Sequence, residues 1–345
     1  MLFQNIRFFG KLPVSAIFTR KLESIKIKLF QLIRRNKMKK MIRILSLSFL
    51  ILIINALLFI GCHSRNDSLS DEQAANPITP KSVFDEGVAW AGKGDYDRAI
   101  KAFNKVLKMD SLYTGAYFYR AQMWEEKRNP KKAISDYTKV LKLNPDLERA
   151  YNYRGNAWQM RGKFDKAIAD YTKVIELNPN HSEAYHNRGN AWGKKGDYEK
   201  AIADFTKAME LSPGEAAIYD NRGSAWRKKG DYGRAIKDYV RALEANPDFA
   251  VTYNNLAWLL ATCPVPEYRS GIKALRLAQK ALELTPDASI LDTLAAAYAE
   301  VGKFEDAVRV MQRIITMMGN GDAENLSIYK KHLNAYKEGK PWRGK

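Results

Sequence analysis

Residues 148–181 read ERAYNYRGNAWQMRGKFDKAIADYTKVIELNPNH, and residues 182–215 read SEAYHNRGNAWGKKGDYEKAIADFTKAMELSPGE. The two stretches have equal length and align without a gap, and both carry the pattern Arg-Gly-Asn-Ala-Trp, a glycine in the middle and Lys-Ala-Ile-Ala-Asp after it. Self-similarity at a fixed period of this size is the sequence pattern of stacked helical repeats. The unit therefore predicts one helix, a short turn and a second helix.

The same pattern continues on both sides of these two stretches, with columns that keep a 34-residue step. The columns are Trp90, Trp124, Trp158, Trp192 and Trp226; Ala99, Ala133, Ala167, Ala201 and Ala235; Ile100, Ile134, Ile168, Ile202 and Ile236; and the small residues Gly87, Ala121, Gly155, Gly189, Gly223 and Ala257. Apolar residues at helical spacing form the buried side of a helix. We therefore predict that these columns pack inside each helix pair, with Trp158 and Trp192 buried.

The unit resembles the tetratricopeptide repeat, a helix–turn–helix of 34 residues. The resemblance implies an all-α fold, an α-solenoid of about seven helix–turn–helix repeats that start near residues 80, 114, 148, 182, 216, 250 and 288. A capping helix is predicted at 324–337, followed by a tail at 338–345. Asp95, Asp197 and Asp231 recur in the inter-helix turns, where aspartate caps the following helix. In the sixth repeat this turn is lengthened around Cys263, which is expected to be a free thiol.

Charge and composition exclude several classes of function. Lys and Arg number 57 against 38 Asp and Glu, but residues 1–61 alone hold 12 basic residues and one Glu. Most of the basic excess therefore lies in the first segment, and we predict no nucleic-acid partner. With two Cys, four His and none of the phosphate-loop, zinc or nucleophile motifs, the chain is expected to be no enzyme and to hold no metal, cofactor or small-molecule substrate.

The segment before the repeats indicates export. An apolar run from Ile44 to Ile60 follows several basic residues and ends at Gly61-Cys62. Residues 38–61 are therefore expected to be a signal peptide or membrane anchor. The end of the run resembles the lipobox of bacterial lipoproteins, which implies lipidation of Cys62; the alternative is an uncleaved transmembrane anchor. By the positive-inside rule both alternatives place the repeats outside the cytoplasm. We therefore expect them in the bacterial cell envelope and, in a Gram-negative cell, at the periplasmic face of the outer membrane.

Two further segments flank this signal. Residues 1–37 are expected to be an extension that results from a mis-assigned start, because a signal of ordinary length begins at Met38. The alternative for residues 1–37 is an organellar presequence or a basic helix on a membrane surface. Residues 62–79 are polar and are predicted to form a flexible tether.

In the tetratricopeptide repeat family, ligands contact the first helix of each repeat on the concave side of the array. In this chain those positions carry a row of amides: Asn152, Asn156, Asn187, Asn190, Asn221, Asn254 and Asn255. Amides both donate to and accept from a peptide backbone, so we expect the row, with Arg154, Arg188 and Arg222 beside it, to hold an extended segment. The alternative is that these side chains bridge adjacent repeats.

A second candidate surface is a basic edge at the ends of the first helices of repeats 4 and 5. It consists of Lys194, Lys195, Arg227, Lys228 and Lys229. Such an edge either meets an acidic partner or lipid headgroups, or it is simply solvated.

The resemblance and the signal together imply a non-catalytic, membrane-tethered scaffold that binds a protein or peptide in the concave groove of the repeats. The alternative is a subunit that recruits substrates to an envelope enzyme or to a secretion or assembly complex.

Overall fold

The computed structural model describes residues 78–319 and 323–344, in which the chain forms fifteen α-helices, one short 3₁₀ helix and no β-strand. The helices are α1 (Pro80–Gly92), α2 (Tyr96–Met109), α3 (Thr114–Glu126), α4 (Pro130–Leu143), α5 (Glu148–Met160), α6 (Phe164–Leu177), α7 (Ser182–Lys195), α8 (Tyr198–Leu211), α9 (Ala216–Lys229), α10 (Tyr232–Ala245), α11 (Ala250–Thr262), α12 (Gly271–Leu284), α13 (Ala288–Glu300), α14 (Phe304–Met318) and α15 (Ala323–Lys337). The predicted signal, Cys62 and the extension at 1–37 lie outside the described residues.

The helices form seven consecutive pairs followed by α15, so the predicted all-α repeat solenoid is confirmed. We call the odd-numbered helices α1–α13 helix A of repeats 1–7, and the even-numbered helices α2–α14 helix B. Each helix contacts the next one along the chain, and several helices A also contact the helix A of the adjacent repeat. The helices A therefore lie side by side, and we call the surface that they share the helix A face.

In repeats 1, 4 and 5 the turn between helices A and B is closed by a side-chain cap, as predicted. The carboxylates of Asp95, Asp197 and Asp231 accept hydrogen bonds from backbone N–H groups in the first turn of the following helix, at 3.0–3.2 Å. In repeat 2 Asn129 takes this role, with Pro130 in the first turn of α4. The preceding residue adopts a left-handed conformation, which glycine supplies at Gly230 but which Arg128 must adopt in repeat 2.

Within a repeat, helices A and B approach closely because a small residue of helix A lies beneath an aromatic ring of helix B. A Cβ atom added to Gly155 would lie 2.6 Å from Cε1 of Tyr171, and one added to Gly189 would lie 2.8 Å from Cε1 of Phe205. No side chain fits at that distance, so the glycine column sets the separation of the two helices. The alanine column is fully buried in the same core.

The prediction that Trp158 and Trp192 are buried is wrong. Both rings are half-buried, and the ammonium groups of Lys166 and Lys200 lie 4.4 Å from the centroids of Trp158 and Trp192, respectively. A ring that stacks with a cation keeps one face at the protein surface. The tryptophan column therefore lies at the surface of the junction between repeats. The core is filled instead by the column of Phe103, Tyr137, Tyr171, Phe205 and Tyr239, which we call the tyrosine column.

The lengthened turn of repeat 6 contains the 3₁₀ helix Pro266–Tyr268 and begins at Cys263. As predicted, Cys263 is a free thiol, but it is buried, and burial raises its pKa. The thiol is therefore protonated at neutral pH and poorly reactive.

Candidate partner-binding face

Buried ion pairs fix the helices that carry the candidate site. In repeat 4 the guanidinium of Arg188 donates from Nε and Nη2 to the two carboxylate oxygens of Asp204, both at 2.8 Å, and from Nη1 to Oγ1 of Thr172 at 3.0 Å. Arg188 belongs to helix A, Asp204 to helix B of the same repeat, and Thr172 to helix B of the preceding repeat. One side chain therefore joins three helices and sets the angle between two repeats.

The same arrangement recurs in repeats 2, 3 and 5. The pairs are Arg120 with Asp136, Arg154 with Asp170, and Arg222 with Asp238. Arg154, Arg188 and Arg222 therefore bridge helices within the array, which is the alternative that the sequence left open for them. The Arg–Asp pairing could have been predicted from the sequence, because the aspartates also recur every 34 residues, 16 positions after the arginines.

In repeats 3 and 4 the amides of the row bond to one another and to Glu183. Asn152 donates to Glu183 at 3.1 Å, and Asn187 donates weakly, at 3.4–3.5 Å, to Asn152, Asn156 and Glu183. Asn152 is only 6% exposed and uses both ends of its amide, so it acts as a brace between the two repeats. Asn156 accepts a 2.6 Å hydrogen bond from the hydroxyl of Tyr171.

His186 connects repeats 4 and 5. Its Nε2 lies 2.8 Å from Nδ2 of Asn221 and 3.3 Å from Nδ2 of Asn190. Burial lowers the pKa of His186, so the ring is neutral at pH 7 and Nε2 can accept from an amide. The histidine is thus part of the amide row.

Asp220 was missed by sequence reasoning and connects repeats 5 and 6. Its carboxylate accepts from Oγ1 of Thr252 at 2.8 Å and from Nδ2 of Asn255 at 3.1 Å, and burial raises its pKa. Asn254, the neighbouring member of the row, has a buried Oδ1 without a hydrogen-bond partner among the described residues. One position of helix A is polar in four successive repeats, as Asn152, His186, Asp220 and Asn254. This recurrence could have assigned Asp220 to the helix A face from the sequence.

The opposite ends of several amides remain open. Five side-chain atoms of the row have no hydrogen-bond partner among the described residues, and none of them is buried. They are Oδ1 of Asn187, Asn190, Asn221 and Asn255, and Nδ2 of Asn156. Each of these side chains is held at one end by a neighbouring group and faces solvent at the other. The row is therefore a set of oriented polar groups at the surface of the helix A face.

In repeats 1 and 2, and at Tyr153 of repeat 3, aromatic rings stand where later repeats carry polar side chains, and sequence reasoning did not identify these rings as part of the face. Phe84 contacts Tyr119 edge-on with ring centroids 5.3 Å apart, and Phe118 contacts Tyr153 in the same manner at 5.6 Å. Tyr119 remains 37% exposed. The helix A face thus changes along the array from aromatic in repeats 1–3 to amide-rich in repeats 3–6.

Glu125 lies in helix A of repeat 2 and accepts a 2.6 Å hydrogen bond from the hydroxyl of Tyr137. Burial raises the pKa of Glu125 from its usual value near 4.5 to about 7, although the tyrosine bond opposes the shift. Between these two values the folded chain keeps a proton that the unfolded chain has released. Stability is therefore present at low pH and is lost as the pH rises through this window.

We expect the native chain to lose about 1–2 kcal/mol of stability between pH 5 and pH 8 relative to Glu125→Gln, after allowance for partial solvent screening. Urea unfolding at a series of pH values measures this difference. Glu305→Gln is the matched control, because Glu305 is exposed, lies in repeat 7 and should leave the pH profile unchanged. Parallel profiles for the native chain and Glu125→Gln would exclude Glu125 as the titrating group.

The basic edge is partly neutralised by the array itself. Lys195 pairs with Asp165, and Lys229 lies 2.8 Å from Glu199, in each case joining helix A of one repeat to helix B of the preceding repeat. Lys194 and Lys228 are exposed and make no ion pair within the described ranges. A cleft of about 600 Å³ lies between Trp192 and Lys229 at this edge. The charge open to a partner is thus smaller than the sequence suggested.

Neither a metal-binding cluster nor a membrane-spanning helix occurs among the described residues. Within 78–319 and 323–344, no group of three or more His, Cys, Asp or Glu residues is placed to hold a metal ion. None of the helices in these ranges has the length and apolar character needed to cross a membrane.

Comparisons with known proteins were made at the level of sequence families and solved structures. Family profiles described as tetratricopeptide repeat match residues 84–148, 148–181, 182–215 and 216–249. A tetratricopeptide repeat protein from Parabacteroides merdae is 17% identical, with a TM-score of 0.60, and the match covers 75% of this chain and 98% of that protein. At that identity the likeness shows the fold alone. No curated protein matches the chain significantly.

Two further solved structures match about half of the chain. MamA is 29% identical with a TM-score of 0.47, and the match covers 50% of this chain and 94% of MamA. YrrB, described as a tetratricopeptide repeat protein with an unusual peptide-binding site, is 21% identical with a TM-score of 0.46, and the match covers 50% of this chain and 89% of YrrB.

Proposed function

We propose that the chain, whose residues 84–249 match tetratricopeptide repeat profiles, is a membrane-tethered scaffold that binds an extended segment of a partner protein along the helix A face. Proteins of this family are in general interaction modules without catalytic activity, and they bind peptides or proteins. A scaffold for protein interaction is therefore the general function, and the helix A face is the surface that we assign to it.

The observation that carries the proposal is the amide row with one end fixed and one end open. A side chain that is already oriented loses little conformational entropy when a ligand binds. Open amide oxygens accept from the N–H groups of an extended backbone, and the open amide nitrogen of Asn156 donates to a carbonyl. Repetition of these groups over repeats 3–6 suits a segment that runs along several repeats.

The aromatic rings of repeats 1–3 complement the amides. Tyr119 and its neighbours offer an apolar surface with a partly exposed edge, which suits an aliphatic or aromatic side chain of the same segment. A partner whose apolar end lies at repeats 1–3 and whose polar end lies at repeats 3–6 uses both parts of the face.

The sharpest test replaces two amides that contribute little to the array. Asn187 and Asn190 hold their neighbours only through hydrogen bonds of 3.3–3.5 Å, so Asn187→Ala with Asn190→Ala should leave the melting temperature nearly unchanged. Each lost contact to a partner is worth about 0.5–1.5 kcal/mol, and the pair should weaken partner binding roughly 5- to 150-fold. Capture from membrane extracts identifies the partner, and calorimetric titration measures its affinity.

The matched control is Asn180→Ala, because Asn180 is an exposed amide in the turn between repeats 3 and 4, away from the helix A face. Binding at native strength by the Asn187/Asn190 variant would remove the amide row from the binding site. Asn156 is unsuitable for this test, since its replacement would leave the Tyr171 hydroxyl without its partner.

The membrane tether rests on the sequence. We expect Cys62→Ala to abolish incorporation of a labelled fatty acid, because the thioether lipid and the acyl chain of the new amino terminus both depend on this residue. Cys263→Ala is the control and should keep the label, since Cys263 lies buried at the end of α11. Label that persists in the Cys62 variant would show that Cys62 is not the lipidated residue, and absence of label from the native chain would favour the uncleaved transmembrane anchor. The same label in membrane fractions tests the proposed location in the cell envelope.

A further inference from the structure

The segment after α15 folds back onto the ends of helices A in repeats 6 and 7. Gly339 adopts a left-handed conformation with φ +66° and redirects the chain. Trp342 then lies with its ring centroid 4.3 Å from that of His332 in α15. Arg343 donates to Oε2 of Glu300 at 2.5 Å and to the carbonyl oxygen of Ala261 at 3.3 Å. The N–H of Gly344 donates to the carbonyl oxygen of Thr262 at 2.9 Å.

The groups that receive this segment are held in place by other parts of the chain. Oε1 of Glu300 accepts from Nε of Arg269 at 3.0 Å, and Glu300 is only 12% exposed. His332 is 3% exposed, and its Nδ1 lies 2.8 Å from Oδ1 of Asp292. We call Ala261, Thr262, Glu300 and His332 the tail site. A site whose polar groups are fixed in advance binds an incoming segment at a reduced entropic cost.

The backbone acceptors of the tail site are free because of their position in the fold. Ala261 and Thr262 form the last turn of α11, where carbonyl groups have no partner within the helix. The negative end of the helix dipole and the carboxylate of Glu300 both attract a guanidinium. An arginine is thus the side chain that suits this place.

The space around Gly344 also favours a glycine at this position of the bound segment. A Cβ atom added to Gly344 would lie 3.3 Å from Oγ1 of Thr262, closer than ordinary van der Waals contact. The adjoining gap, lined by Arg227, Lys228, Tyr232 and Cys263, measures only about 30 Å³. The tail site therefore favours an aromatic residue, an arginine and a glycine in succession.

We propose that the tail site is a second peptide-binding site, that residues 341–344 occupy it in the resting chain, and that a partner segment of the sequence type aromatic–arginine–glycine displaces them. The tail site is separate from the amide row, so evidence against binding at one of them leaves the proposal for the other unaffected. A short tethered segment competes at an effective concentration of the order of millimolar. Only a partner segment at high local concentration, or one with additional contacts, therefore replaces the tail.

The test uses the labelled peptide Gly-Lys-Pro-Trp-Arg-Gly-Lys, which corresponds to residues 339–345. It is titrated, by fluorescence anisotropy, against the full chain in detergent and against the full chain with Trp342→Ala and Arg343→Ala, in which the tail is unseated. We expect the variant to bind the peptide at least about 10-fold more tightly than the native chain. Adding Glu300→Gln to that variant, or replacing the peptide arginine with alanine, should weaken binding about 10-fold or more.

Two results would overturn the proposal: no peptide binding by a variant that keeps its helical circular dichroism, or equal binding by the native chain and the variant. The Asn187/Asn190 variant should bind this peptide as the native chain does, which separates this test from that of the amide row.

Hydrogen exchange on the native chain tests the displacement of the tail even if the tail variant does not fold. Excess peptide should accelerate exchange of the Gly344 amide, and an unchanged rate would contradict displacement. A labelled second copy of the chain shows whether the occupant is the tail of another molecule.

Discussion

Arg188→Ala is expected to lower the free energy of unfolding by about 3–5 kcal/mol, because it leaves the buried carboxylate of Asp204 without its cation. The carboxylate raises the pKa of Arg188 through two short hydrogen bonds, so the guanidinium is charged at every pH at which the chain is studied. The loss also releases Thr172 of the preceding repeat. Urea unfolding followed by circular dichroism measures the change.

The double variant Arg188→Ala with Asp204→Ala separates a charge effect from a packing effect. If the cost comes from the stranded carboxylate, removing both partners should restore part of the stability lost in the single variant. Lys207→Ala is the control for a surface pair with Glu210 and should change stability by less than about 1 kcal/mol. A single variant no less stable than the Lys207 control would show that the arginine column does not hold the repeats together.

The sequence predicted the fold because a 34-residue period determines which residues occupy equivalent positions. The caps at Asp95, Asp197 and Asp231 and the glycine column were predicted for the same reason, since each depends on contacts within one repeat. For the arginine column the sequence left contact with a partner and bridging within the array open, because its contacts run to helix B and to the preceding repeat. A period gives the residues of a column, but it does not give the direction in which their side chains point.

The site was predicted only in part for the same physical reason. An asparagine on helix A can face a partner or the next repeat, and the geometry of the stacked helices decides between the two. Asn152 is enclosed by Glu183 and Asn187 and braces the array, whereas Asn190 keeps an open oxygen. The tail site depends on residues far apart in the sequence, such as Ala261 and Arg343, and no spacing in the chain indicated it.

The tryptophan and tyrosine columns show how burial decides the cost of a substitution. Tyr171 is fully buried at 0% exposure, covers Gly155 and donates to Asn156, whereas Trp158 is half-buried. A cavity beneath a buried ring adds to the lost transfer free energy, because the surrounding helices relax only partly. Replacing the larger tryptophan should therefore cost less stability than replacing the smaller tyrosine.

We expect Tyr171→Ala to cost about 3–5 kcal/mol and Trp158→Ala clearly less, both measured by urea unfolding. Tyr171→Phe keeps the ring and should cost only about 0.5–1.5 kcal/mol, the value of the hydroxyl bond to Asn156. Because each repeat contacts only its neighbours, the loss in Tyr171→Ala should be concentrated in repeats 2–4, where hydrogen exchange should rise first. Equal costs for Tyr171→Ala and Trp158→Ala, or uniform exchange along the array, would contradict a core formed by the tyrosine column and would assign an equal share of the packing to the tryptophans.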